Sequence, residues 1–208
     1  MIKALLFIFQ PCTAWERVVE ARRSLGFLLV SYLFPMMLIA ATAEGFGLVE
    51  WGKPQADTHR IHKFTTGEAL IYELAQSLLT LLAILVCAWL IKMLGTTFHG
   101  RHTHQETRTL AIYGLSPMFL FRLLDAFPAI NPWIPWAIGI ALSIEVIYQG
   151  ILLVLQPDMP SALGLFFMCA LLVVTLTGLV RFLTASYLAG HIPVLENFTS
   201  QLAAKLPF

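Results

Sequence analysis

Four stretches of the chain hold at most one charge each over a length that could cross a bilayer. A hydrocarbon core of about 30 Å takes about 20 helical residues. Ser24–Ala43, Ala69–Ile91, Trp133–Leu155 and Ser161–Ser186 meet that requirement, and each is predicted to span. A fifth run, Thr107–Asp125, is weaker, because only Thr109–Phe121 is free of charge and so short a piece also suits a re-entrant segment. Arg122 lies near its end, where a long side chain can reach the headgroups or pair with Asp125 three residues on. That favours five spans over four. The predicted fold class is all-α, a polytopic transmembrane helix bundle of about five spans with a short interfacial helix ahead of it.

The interfacial helix is read from the polar pattern before Ser24. Thr13 and Glu16 have the spacing of a capping box just after Pro11, which predicts a helix running through Arg23. Trp15, Val18 and Val19 fall on one side, with Glu16, Arg17, Glu20 and Arg23 largely on the other. Such a helix lies in the interface with Trp15 at headgroup depth and Arg22 and Arg23 at the boundary. Residues 1–23 are therefore assigned to this helix, 24–188 to the five-span domain and 189–208 to a C-terminal tail. Ala4–Phe9 is short for a signal-peptide core and no A-x-A site follows, so the N-terminus is read as retained.

Composition strengthens the membrane assignment. The 208 residues are 58% hydrophobic and 12% charged, with a mean hydropathy of +0.78, whereas an ordinary globular domain is about 25% charged. A soluble domain is excluded. A net charge of +1 gives no reason to expect nucleic acid. Cys12, Cys87 and Cys169 are odd in number and far apart, and read as small hydrophobes rather than disulfide or zinc ligands. Lysines and arginines concentrate in the loops on the N-terminal side, which predicts a cytosolic N-terminus and a C-terminus outside.

Charges inside the spans are costly in lipid and normally face a partner or a wet cavity. They are Glu73, Arg122, Glu145 and Arg181, with Asp125 at a boundary. At about 1.5 Å per residue, Glu73, Arg122 and Arg181 fall within about 8 Å of the outer boundary, while Glu145 is about 18 Å deep, near the midplane. Glu73, Gln76, Ser77 and Thr80 share a helix face, as do Glu145, Tyr148, Gln149 and Gln156, and Thr177, Arg181 and Thr184. Facing inward, these stripes predict a buried charge network of Glu73, Arg122, Asp125, Glu145 and Arg181. It serves either as an interhelical clamp, the simpler reading, or as the lining of a proton or solute path.

Catalytic motifs are missing. The chain has no G-x-S-x-G, P-loop, H-E-x-x-H or G-x-G-x-x-G, so neither an enzyme nor a cofactor is expected. His99, His102 and His104 have a spacing that could hold Zn or Ni. With Arg101 and Arg108 nearby they read first as a solvated loop, so they are weak candidates and no metal is predicted.

Three segments together resemble the Yip family, the Ypt/Rab-interacting membrane proteins, in its bacterial form. They are Pro11-Cys12-Thr13-Ala14-Trp15, Ile112-Tyr113-Gly114-Leu115-Ser116-Pro117, and Gly139 through Tyr148-Gln149-Gly150. The resemblance covers roughly Pro11 to Tyr187 and implies a five-span bundle with a cytosolic N-terminus. Eukaryotic relatives sit in ER and Golgi membranes and bind Rab GTPases. Their long N-terminal region has no counterpart before Ser24, which argues against Rab binding and for a bacterial cytoplasmic (inner) membrane. In the second segment Gly114 permits close helix approach, and Ser116 can bond a carbonyl that Pro117 leaves without its donor. A kink is expected there and another at Pro35, as packing devices in preference to hinges.

The function expected from these readings is that of a non-enzymatic integral membrane protein. It would organise other membrane proteins or lipids, as an accessory subunit of a larger complex or a homo-oligomer. The alternative is a small channel or proton-coupled transporter using Glu145 in the bundle core.

Overall fold

A computed structural model of the chain describes residues 2–21, 23–54, 61–97 and 103–204. Five helices in it are long and apolar enough to cross a membrane: Leu25–Glu50, Thr66–Thr97, His104–Ala126, Trp133–Leu155 and Ser161–Leu188, here the first to fifth spans. The end at which the first span begins is called the near end, and the opposite one the far end.

Polar caps set where several of these helices start. Ser24 accepts from the Phe27 amide at the head of the first span. Thr65 and Glu68 exchange bonds at the second, and Thr103 and Glu106 form a capping box at the third. Each cap satisfies amides that the helix leaves free, and a hydrocarbon surrounding would leave them unpaired. Along the second span Leu70, Leu74, Leu78 and Leu82 are exposed at every fourth position, an apolar row suited to lipid.

The third span is the least apolar, and its position accounts for that. Its most apolar window is 67% buried, against 22% to 44% for the other four. It packs against the first, second and fourth spans, so protein rather than lipid surrounds most of it. The proline in the first span is absorbed by a widened turn over Leu29–Leu33, with the Phe34 amide reaching back to the Leu29 carbonyl. Pro117 denies the Tyr113 carbonyl its usual amide, and the Ser116 hydroxyl donates to that carbonyl at 2.6 Å. At Gly114 a Cβ would stand 2.5 Å from Ile147 Cγ1, so the third and fourth spans approach closely there.

The N-terminal segment departs from the expected interfacial helix. Two helices, α1 (Ile2–Phe9) and α2 (Pro11–Ala21), join at Gln10 and pack against the third and fourth spans. Trp15 is fully buried, and its indole N–H donates to the Val146 carbonyl at 2.9 Å. Its ring meets Phe7 edge-on, with centroids 4.9 Å apart, and a Cβ on Gly150 would lie 2.6 Å from it. Gly150 thus leaves room for the indole, and the tryptophan becomes part of the core instead of a headgroup anchor. Helix α2 starts at Pro11, so Thr13 lies inside it and donates to the Gln10 carbonyl at 3.1 Å rather than capping.

A second core at the far end gathers Leu48, Phe64, Tyr72, Tyr187 and Leu188. A short antiparallel pair, β1 (Lys53–Pro54) with β2 (Ile61–His62), and a C-terminal helix, Pro193–Ala203, adjoin it. The tightest approach is at Gly47, where a Cβ would stand 2.1 Å from the Ala126 carbonyl oxygen. Ala126 ends the third span in a 3-10 turn, Leu123–Ala126. Gly47→Ala must push that turn away, so it is expected to destabilise the protein by about 1–3 kcal/mol, the usual cost of overpacking. A thermal midpoint in detergent equal to wild type would show that the turn yields freely.

Candidate functional site

The turn held against Gly47 also sets the position of the charged groups. Arg122 precedes it and Asp125 lies within it, while Glu44 sits one turn before Gly47 on the first span. Arg122 Nε meets Glu44 Oε2 at 2.9 Å, and its Nη2 meets Glu73 Oε2, from the second span, at 2.6 Å. Arg181 of the fifth span meets Asp125 Oδ1 through Nη2 at 2.5 Å. The Arg181 Nε also donates to the Pro132 carbonyl, which immediately precedes the fourth span, at 2.8 Å. The first, second, third and fifth spans are joined at one level by side chains that are almost entirely buried, and the half-buried Pro132 ties the start of the fourth to them.

Neighbouring polar groups extend the cluster, while Glu73 Oε1 and Arg122 Nη1 have no hydrogen-bond partner among the described residues. With its amide oxygen turned toward Arg122, Gln76 accepts from Nε and Nη2 at 3.2 Å each and donates to the Tyr72 hydroxyl at 2.6 Å. Lys53, in the loop after the first span, donates to the Asp125 carbonyl at 2.7 Å and to that of Phe127 at 3.3 Å. Burial pushes the Lys53 ammonium below the usual lysine range, while Asp125 and Glu44 pull it upward. Three cations, Lys53, Arg122 and Arg181, therefore face three carboxylates, Glu44, Glu73 and Asp125. Formal charges cancel, as a buried ionic site requires.

Chemically, this arrangement is suited to holding helices together. The nearby hydroxyls of Thr80, Thr177 and Thr184 donate to carbonyls of their own helices at 2.8, 2.7 and 3.1 Å. A cavity of about 40 Å3 lies beside Gln76, Arg122, Asp125 and Arg181, room enough for a water molecule. Among the described residues, no group of three or more His, Cys, Asp or Glu side chains is placed to hold a metal ion.

Of the residues expected in the network, Glu73, Arg122, Asp125 and Arg181 are brought together here, but Glu145 is not. It is exposed on the outer side of the fourth span, as is Tyr148. The physical reason is the packing of that span, whose buried face carries Gly139, Ser143, Val146, Ile147 and Gly150 and turns Glu145 outward. Arg23 is half-buried, its Cζ 4.4 Å from the Phe27 ring centroid. Arg22, His99 and His102 lie outside the described residues, and His104 is exposed at the start of the third span.

Glu44 and Lys53 are the residues that sequence reasoning missed. The first span was expected to stop at Ala43 because Glu44 ended the uncharged run. Met36, Met37, Ala40, Glu44, Gly47 and Leu48 are all buried. That face continues through the glutamate at helical spacing, a signal that points past Ala43 and was not used. Lys53 gave no periodic signal.

Five apolar spans clamped by a buried ionic cluster define an integral membrane protein of the helical-bundle class. The Yip1 domain profile matches residues 5–182, so the chain belongs to the Yip1-domain family. Neither the curated proteins nor the solved structures contain a significant match to it.

Proposed function

We propose that this chain is a non-enzymatic membrane organiser, a bundle that holds other membrane proteins or lipids in an assembly. The observation that supports this is the outward-facing Glu145. It lies near the middle of the fourth span, and among the described residues it has no ion-pair partner. A carboxyl at that depth costs free energy against lipid and normally meets a polar group or water, so its partner is sought on another chain. The transporter reading needed Glu145 in the bundle core, and its outward position removes that motive. We further propose a cytoplasmic (inner) membrane, with the N-terminus in the cytosol, on the strength of the loop charges.

The test is gentle solubilisation from native membranes, followed by native gel and mass spectrometry of what co-purifies. A stoichiometric partner, or a second copy, is expected with the wild type and is expected to be lost in Glu145→Leu. Recovery of the wild type alone as a monomer would overturn the proposal, as would a partner retained equally by the variant. Proton uptake into liposomes that depends on Glu145 would favour transport instead.

A further inference from the structure

A second site lies at the near end, away from the ionic cluster. A cavity of about 600 Å3 opens between α2 and the start of the first and third spans, within the size range of small-molecule pockets. Its polarity changes with depth. Arg23, two residues before the first span, and Arg17 of α2 supply its basic side chains, while the buried Phe7, Leu28 and Tyr113 line its interior. Tyr113 is nine residues beyond His104, so the apolar part reaches about 14 Å into the bundle.

The charge at the mouth is positive. Among the described residues neither Arg17 nor Arg23 has a carboxylate within ion-pair distance. One carboxylate, Glu106, also lines the cavity, and its Oε2 accepts from the Thr103 amide at 2.8 Å as part of the helix cap. Arg23 is held in place by its ring contact with Phe27 and by Gln105, whose side-chain amide donates to the Arg23 carbonyl at 3.0 Å. Two guanidiniums lining one cavity with an apolar shaft complement one kind of bilayer molecule: a phosphate-bearing head with net negative charge and an acyl chain below it.

We infer that this cavity is a binding site for one anionic phospholipid of the leaflet at the near end, with its phosphate at Arg17 and Arg23 and an acyl chain running toward Tyr113. The inference is independent of the organiser reading, which rests on Glu145 of the fourth span. Lipid retention by the full chain tests it, using native mass spectrometry in detergent with titrated phosphatidylglycerol or phosphatidylcholine. One phosphatidylglycerol is expected to remain bound where phosphatidylcholine is stripped. Arg17→Gln with Arg23→Gln is expected to weaken that binding about thirtyfold, because both guanidiniums that attract the phosphate are removed.

Val19→Glu supplies a second variant, since Val19 is exposed at the cavity wall and its replacement leaves the core untouched. It adds a carboxylate at the mouth and is expected to lower phosphatidylglycerol retention as well. Equal retention of the two lipids by the wild type would overturn the inference, as would undiminished phosphatidylglycerol binding by either variant with unchanged circular dichroism. Displacement of phosphatidylglycerol by glycerol 3-phosphate at equal concentration would assign the site to a soluble phosphate ester and overturn the lipid reading.

Discussion

Arg122→Met is expected to destabilise the bundle by about 3–5 kcal/mol, because it leaves two buried carboxylates without their cation. Glu44 and Glu73 both meet this guanidinium, so neither keeps a short ion pair once it is gone. Arg122→Lys is expected to recover only part of the loss, since an ammonium is a point charge without the fork that spans two carboxylates. The triple variant Arg122→Met, Glu44→Gln, Glu73→Gln is expected to return most of the stability, because the ions' desolvation cost disappears along with their attraction. Unfolding midpoints in detergent, followed by circular dichroism, decide between these. A midpoint for Arg122→Met equal to wild type would mean that the cluster does not clamp the spans.

That cluster explains why the chain keeps so many charges at one depth. Cations and carboxylates on different spans make a correct bundle distinguishable from one in which a helix is rotated, since rotation would leave an ion facing lipid. Lipid tails are as apolar as leucine and give little drive for helix association. Specific polar contacts then carry a larger share of the assembly's definition than they would in water.

How much was legible in the sequence depended on which physical signal each residue left. Span number and depth follow from long apolar runs, and the weak third span resolves once its central position is known. Depth also placed Glu73, Arg122, Asp125 and Arg181 at one level. Rotation about the helix axis was harder to read, as Glu145 shows: polarity suggested an inward stripe, whereas Gly139, Ser143 and Gly150 mark the packed face. In membranes small residues are the better guide to the contact face, because they let backbones approach. Glu44 was hidden because a charge was taken as the end of a span, when a paired charge can lie within one.

Trp15 carries the second large expected effect, and it concerns how the N-terminal segment is attached. Trp15→Ala is expected to cost about 3 kcal/mol, the low end of the range for large aromatic deletions, since losing packing matters here and transfer from water contributes little. The indole fills the space over Gly150 and touches Phe7, so its loss opens a cavity where α1, α2 and the fourth span meet. Trp15→Phe keeps a ring and loses chiefly the bond to the Val146 carbonyl, for an expected cost of about 1 kcal/mol. An interfacial anchor would behave differently: alanine would weaken membrane attachment of α2 and hardly move the unfolding midpoint of the spans. A midpoint unchanged in Trp15→Ala would therefore return the segment to the membrane surface, whereas a large drop there and a small one in Trp15→Phe would tie residues 2–21 to the bundle as an integral part of its core.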